Sequence, residues 1–191
     1  MVSVTFITHP DVAIDPHIPV PDWCLNPTGI ARMHAMLVQP WVASIVHIAS
    51  STERKARDGA DILAAHLGLR LSTHNALGEN DRSATGYLPK PAFEALADAF
   101  FANPTESIQG WERAVDAQAR IVGAMHAVLA IAPPGGVAVV SHGGVGALLL
   151  CHLRQIPISR AADQPPGNGG HFLTFDRASW HLRSAWARID P

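Results

Sequence analysis

Two histidines stand where the chain leaves apolar, β-branched runs. "VTFITHP" carries His9, and "VAVVSHGGV" carries His142. A neutral imidazole is a competent nucleophile toward phosphorus. A second imidazole can hold the oxygens of a phosphoryl group in transfer. Gly143 and Gly144 follow His142 and leave backbone N–H groups open at an expected helix start, which favours an anion. Ser50 and Ser51 form a similar junction earlier in the chain. Phosphoryl transfer also needs an acid to protonate the leaving oxygen. Glu79, in the polar stretch "GENDRSATGYLPKP", suits that role. Each residue alone has a plain structural explanation: a strand-end histidine, a capped helix, a solvated loop acid. The weight lies in their order on alternating elements.

Those elements follow from periodicity and cap chemistry. Val2–Ile7, Ser44–Ala49, Leu69–Ser72 and Val137–Ser141 are short apolar runs that read as buried strands. Pro27–Gln39 reads as a helix with Asn26 as its N-cap and Pro27 at its first position. Ser50–Leu67 reads as another, with Ser50 and Glu53 as a capping box and Gly68 as its stop. Ala92–Ala102, Ile108–Ala132 and Val145–Gln155 complete the helices. His171–Phe175 and Trp180–Trp186 suit a final strand pair. The Pro-rich stretch 11–26 and the segments Gly78–Pro91 and Asp163–Gly170 are loops. Strands alternating with helices predict an α/β fold, a three-layer α/β/α sandwich on a mostly parallel sheet. In such sheets ligands bind beyond the carboxyl ends of the strands, where both histidines fall.

Composition narrows the function classes. The chain has 191 residues, of which 48% are hydrophobic, enough for one domain with a real core. A net charge of −2 without a basic run leaves nucleic acid no electrostatic footprint. The two cysteines, Cys24 and Cys151, match no metal or redox spacing. No signal segment or membrane-length apolar run is evident, so a cytoplasmic protein without a membrane partner is expected.

The order of these motifs resembles the histidine phosphatase superfamily, the phosphoglycerate mutase-like proteins, over nearly the whole chain. Family members begin with a strand leading into Arg-His-Gly, and His9 takes the nucleophile's place. Leu25–Gly29 matches a Leu-x-x-x-Gly segment. Ser50, Ser51, Lys55-Ala56 and Gly59-Ala60 follow a pattern of Ser-Ser, Arg-Ala and Thr-Ala. Glu79 falls near the acid loop, Glu106-Ser107 resembles a Glu-Ser pair, and "VAVVSHGGV" is the most specific match. The departures are definite: Thr8 replaces the Arg before the nucleophile, Pro10 replaces the Gly after it, and Lys55 replaces a second Arg. Lys cannot grip phosphate bidentately. Losing one strong donor commonly costs about 3–4 kcal/mol of transition-state stabilisation. Arg82, three residues after Glu79, is the preferred compensator, and Arg54 and Arg57 read as surface residues.

The resemblance implies a metal-independent phosphomonoester hydrolase with one domain over residues 1–191 and no cofactor. His9 would attack, Glu79 would protonate the leaving group, and His142 would hold the phosphoryl oxygens. Thr8, Lys55, Arg82 and Gly143 are expected at the phosphate. The substrate would be a phosphorylated small molecule or a phosphoprotein. Trp23 and Tyr87 are candidates for contact with its body, and Asn168 and His171, in "GNGGH", could reach the site from the late loop, with turn chemistry the favoured explanation of the Asn and the glycines. A catalytically impaired relative that binds a phosphorylated ligand or protein partner is the alternative. A metal centre built from the many histidines is a third reading, but no pair has the H-x-x-x-H spacing with an acid.

Overall fold

Side-chain alternation along two central strands divides the core. The computed structural model describes residues 2–190. From β1 (Ser3–Thr8), Val4 and Phe6 face one layer of helices and Ile7 faces the other. From β4 (Gly136–Ser141), Val137 and Val139 share the first face, and Ala138 and Val140 the second. This period of two, buried on both sides, gives near-continuous apolar strands.

The remaining strands are β2 (Ile45–Ser50), β3 (Leu71–Thr73), β5 (His171–Asp176) and β6 (Leu182–Arg188). Six strands form one sheet in the order β3-β2-β4-β1-β5-β6. The first four are mutually parallel; β5 runs antiparallel to β1, and β6 to β5. Helices α1 (Pro27–Met36) and α2 (Arg54–Leu67) cover the second face through Met33, Met36, Ala60 and Leu63. Helices α4 (Ala114–Ile131) and α5 (Gly143–Arg154) cover the first through Ile121, Met125, Val128 and Leu149. Helix α3 (Lys90–Ala102) lies outside α5, with Phe100 and Phe101 packed on Trp111 and Leu148. This is the expected three-layer α/β/α sandwich. Helix α4 is long and apolar enough, at a mean hydropathy of 1.3, to pass as a membrane span, yet its Ile121–Met125–Val128 face packs on the sheet.

Local signals operate as expected at two helix ends. The Asn26 side chain accepts from Gly29 N at 2.9 Å at the start of α1. Gly68 ends α2 in the left-handed region, at φ 65°. Two expectations need correction. Helix α2 begins at Arg54, not Ser50, and Glu53 is its N-cap without any side-chain cap bond. The Ser51 hydroxyl takes the Glu53 N–H at 3.1 Å, which leaves the Glu53 carboxylate free to turn elsewhere. The helix expected from Ile108 starts only at Ala114, because Gln109 adopts a positive φ of 47° inside a short 3-10 turn.

Candidate active site

The carboxyl ends of β1 and β4 are tied together: His9 N donates to Ser141 O at 3.1 Å. Each strand thus releases its histidine at the same level. The His9 and His142 ring centroids lie 5.2 Å apart, edge to face. That is within the width of one phosphate, as the expected pairing requires. The loop after β1 is held by the segment that leads into β5. Gly170 N donates to the His9 carbonyl at 3.2 Å. Gly169, at φ +76°, approaches so closely that a Cβ there would lie 2.1 Å from that oxygen. Asn168 donates to Asp11 at 2.9 Å, so the "GNGG" segment braces the loop, as turn chemistry suggested.

The hydrogen bond on one nitrogen selects the tautomer of His9. Nδ1 stands 2.9 Å from the Pro10 carbonyl, which can only accept, so Nδ1 carries the proton. Nε2 then presents its lone pair. Burial, followed by the neighbouring His142 and Lys55, pushes the His9 pKa down to about 3. The ring is therefore neutral at physiological pH. His142 is fully buried at the N-cap of α5, and neither ring nitrogen has a hydrogen-bond partner among the described residues. Burial lowers its pKa as well, against the pull of Glu53 and Glu79.

Glu79 reaches the start of α5, where its carboxylate accepts from Gly144 N at 3.1 Å and Val145 N at 3.0 Å. These are helix N-terminal donors that suit an anion. Burial works to raise its pKa, but Arg82, His142 and the Gly144 N–H prevail and hold the carboxyl below its ordinary value. The loop carrying Glu79 is clamped by Arg120, which donates to the carbonyls of Ala76, Gly78 and Glu79 at 2.9–3.0 Å and pairs with Glu112.

Lys55 is almost fully buried, with Nζ 2.8 Å from Val20 O and 2.5 Å from Glu53 Oε2. Glu53 is the residue that sequence reasoning missed. Its Oε1 lies 3.3 Å from His142 Nε2 and accepts from Glu79 N at 2.8 Å. Burial would raise this carboxyl, but His142, Lys55 and the Glu79 N–H hold it at about pKa 2. The available signal was an acid among the three residues between Ser51 and Lys55.

The other expected contacts divide. Arg82 stacks over Phe93 and Trp111, 4.9 and 5.7 Å from the ring centroids, while its charge still acts on Glu79 and His142. Thr8 is a correction: its hydroxyl is fully buried, donating to Gln164 Oε1 at 2.6 Å and accepting from His171 N at 3.0 Å. It faces the fold's own polar groups and has no donor left for a phosphate. Gly143 lies beneath the Gln164 side chain. Trp23 and Tyr87 meet at 5.6 Å, bringing together the loops after β1 and β3. Arg54 pairs with Asp58 on the surface.

An α/β/α sandwich that brings two strand-end histidines together beside an acid-bearing loop is the architecture expected of the histidine phosphatases, with Lys55 where their pattern has an arginine. The superfamily's branch 1 sequence profile matches residues 17–185, and the chain belongs to that family. The matched span begins after His9, so the place of His9 rests on geometry. The fold is similar to a mycobacterial glucosyl-3-phosphoglycerate phosphatase in complex with inorganic phosphate, at 21% identity and a TM-score of 0.79 over 99% of both chains. It is also similar to Bacillus stearothermophilus YhfR, at 18% identity and a TM-score of 0.79, covering 100% of this chain and 98% of the other. A mycobacterial hydrolase matches at 22% identity and a TM-score of 0.75, covering 97% and 95%. No curated protein sequence matches the chain significantly.

Proposed function

We propose that the protein is a phosphomonoester hydrolase that works through a phosphohistidine on His9. The observation that carries this reading is the His9–His142 pair, 5.2 Å apart at the carboxyl ends of adjacent parallel strands, with His9 in the tautomer that frees Nε2. Nε2 attacks phosphorus, the N–P bond forms, and the ester P–O bond breaks. The Nδ1–H bond to the Pro10 carbonyl steadies the positive charge that develops on the ring. His142 and Lys55 take phosphoryl oxygens, and Arg82 adds charge. Glu79 gives its proton to the leaving oxygen, then takes one from the water that hydrolyses the N–P bond. Glu79 rests ionised, so it must take a proton from solvent, or from a phosphomonoester that arrives as its monoanion, before it can give one to the leaving oxygen. A phosphate dianion placed beside it raises its pKa in the required direction. Similarity to a glucosyl-3-phosphoglycerate phosphatase suits a phosphorylated small molecule, and a phosphoprotein fits the same chemistry. A cytoplasmic setting suits the free thiols of Cys24 and Cys151.

One observation favours a second reading. Glu53 already engages Lys55 and faces His142, so the pocket sets two carboxylates against Lys55 and Arg82. A pocket so balanced suits a relative that binds a phosphorylated ligand or partner with little turnover. Covalent phosphorylation separates the two. Aryl phosphate hydrolysis in chelator, with acid-labile phosphate trapped on the wild type and absent from His9→Ala, is expected of the hydrolase. Ligand binding without any trapped phosphoryl group would instead establish the binding protein.

A further inference from the structure

We propose that Gln164 is a phosphoryl-oxygen donor, positioned by Thr8, and that it supplies a contact where the family's Arg before the nucleophile is missing. The inference rests on the reading of this pocket as a phosphate site, but it does not require turnover.

Thr8 stands immediately before His9, in the position of that Arg. Its hydroxyl accepts the His171 N–H at 3.0 Å, and its own hydrogen has two acceptors in reach, the His171 carbonyl at 3.3 Å and Gln164 Oε1 at 2.6 Å, of which the much shorter contact to Gln164 takes it. Only the oxygen of the Gln164 amide can receive that hydrogen. The orientation of the amide follows from this network, and the NH2 group faces the opposite way. There it lies over Gly143, the first residue of α5 and the neighbour of His142. A Cβ at position 143 would stand 2.4 Å from Gln164 Nε2. A side chain there would therefore displace the amide, and glycine leaves it room. Gln164 Nε2 donates to no group among the described residues.

The segment that delivers Gln164 is anchored on both sides. Arg160 pairs with Glu94 and Asp98 of α3. Trp186 Nε1 donates to the Ala162 carbonyl at 2.9 Å, and Asp163 accepts from the Gln164 backbone N–H at 2.8 Å. The amide is thus presented by a fixed loop, with its acceptor end occupied and its donor end open. The first turn of α5 has Glu79 on its Gly144 side and Gln164 on its Gly143 side. An oxyanion held between His9 and His142 would meet the Gln164 N–H groups at that rim. The donor is neutral, so it adds hydrogen bonds and no charge.

Calorimetric titration of inorganic phosphate into the full chain tests this directly. Gln164→Ala is expected to weaken binding about ten- to hundredfold, the range for hydrogen bonds to a charged group. Thr8→Val, which keeps the shape and removes the hydroxyl, is expected to weaken it similarly. Thr8→Ser should bind as the wild type does. Gln164→Glu keeps an acceptor for Thr8 but loses the donors, and should bind worst. Melting temperatures measured in parallel separate loss of binding from loss of fold. Unchanged affinity in Gln164→Ala, or a wild type that binds no phosphate, overturns the proposal. Weakening in Gln164→Ala with none in Thr8→Val overturns the role of Thr8. Aryl phosphate turnover, assayed on the same samples, keeps the outcomes distinct. No turnover with Gln164-dependent binding defeats only the hydrolase reading, and turnover with Gln164-independent binding defeats only this one.

Discussion

Oε1 of Glu53 lies 3.3 Å from Nε2 of His142, while the other oxygen of the same carboxylate holds Lys55 at 2.5 Å. One acid thus spans the two side chains on which an incoming phosphoryl group would depend. In a buried setting such a carboxylate steadies Lys55 and His142, and it opposes any further anion.

Removing that charge should favour the anion. Glu53→Gln is expected to tighten inorganic phosphate binding at neutral pH by about 1–3 kcal/mol, given the Coulomb energies of charges at this range in a partly buried site. Calorimetry at several salt concentrations checks it. Weaker binding in the variant would show that Glu53 chiefly positions Lys55 and His142.

Acid should destabilise the protein in two stages. The His9 pKa is about 3 against an ordinary 6.5, so between those values the unfolded chain binds a proton that the folded chain refuses. That part of the stability is complete above pH 6.5 and declines as pH falls toward 3. The Glu53 carboxyl, at about 2 against 4.5, adds stability above pH 4.5 that is lost as pH falls toward 2. Melting temperature against pH should therefore decline below 6.5 and more steeply below 4.5. His9→Asn should show a shallower decline in the upper window. An identical slope in the variant would place the His9 pKa near its ordinary value.

Gly29 has no room for a side chain. A Cβ there would stand 2.2 Å from the Asp11 carbonyl oxygen, which also accepts from Asn26 N at 3.1 Å. Gly29→Ala must push α1 away from the loop that follows His9. A loss of about 1–3 kcal/mol is expected from overpacking, with a fall in turnover because Asp11 lies two residues from His9. Urea unfolding measures the first effect. Unchanged stability would mean that the loop yields freely.

Arg120 should act on catalysis from outside the pocket. It grips the carbonyls of Ala76, Gly78 and Glu79 and the carboxylate of Glu112. Arg120→Lys keeps the charge but loses the planar fork. It is expected to lower kcat about tenfold with a smaller change in KM, because Glu79 loses its fixed position. A change confined to KM would argue that the loop serves binding alone.

The order of elements was legible in the sequence because its signals are local. Asn26 caps α1 from three residues away, Gly68 stops α2 where it stands, and two-residue alternation declares the strands. His9 and His142 could be placed at strand ends by the same reasoning, and a parallel sheet brings such ends to one edge. The directions of the pocket's side chains were not legible. Ser50 and Glu53 have capping-box spacing, yet Ser51 meets the backbone N–H and the carboxylate turns to His142 and Glu79, distant in the chain. Thr8 looks available from its motif, but its hydroxyl is engaged by Gln164, 156 residues on. A helix cap or strand pattern depends on residues within about one turn. A buried polar group takes whichever donor or acceptor the packed chain brings within 3 Å, and that choice exists only in the folded molecule.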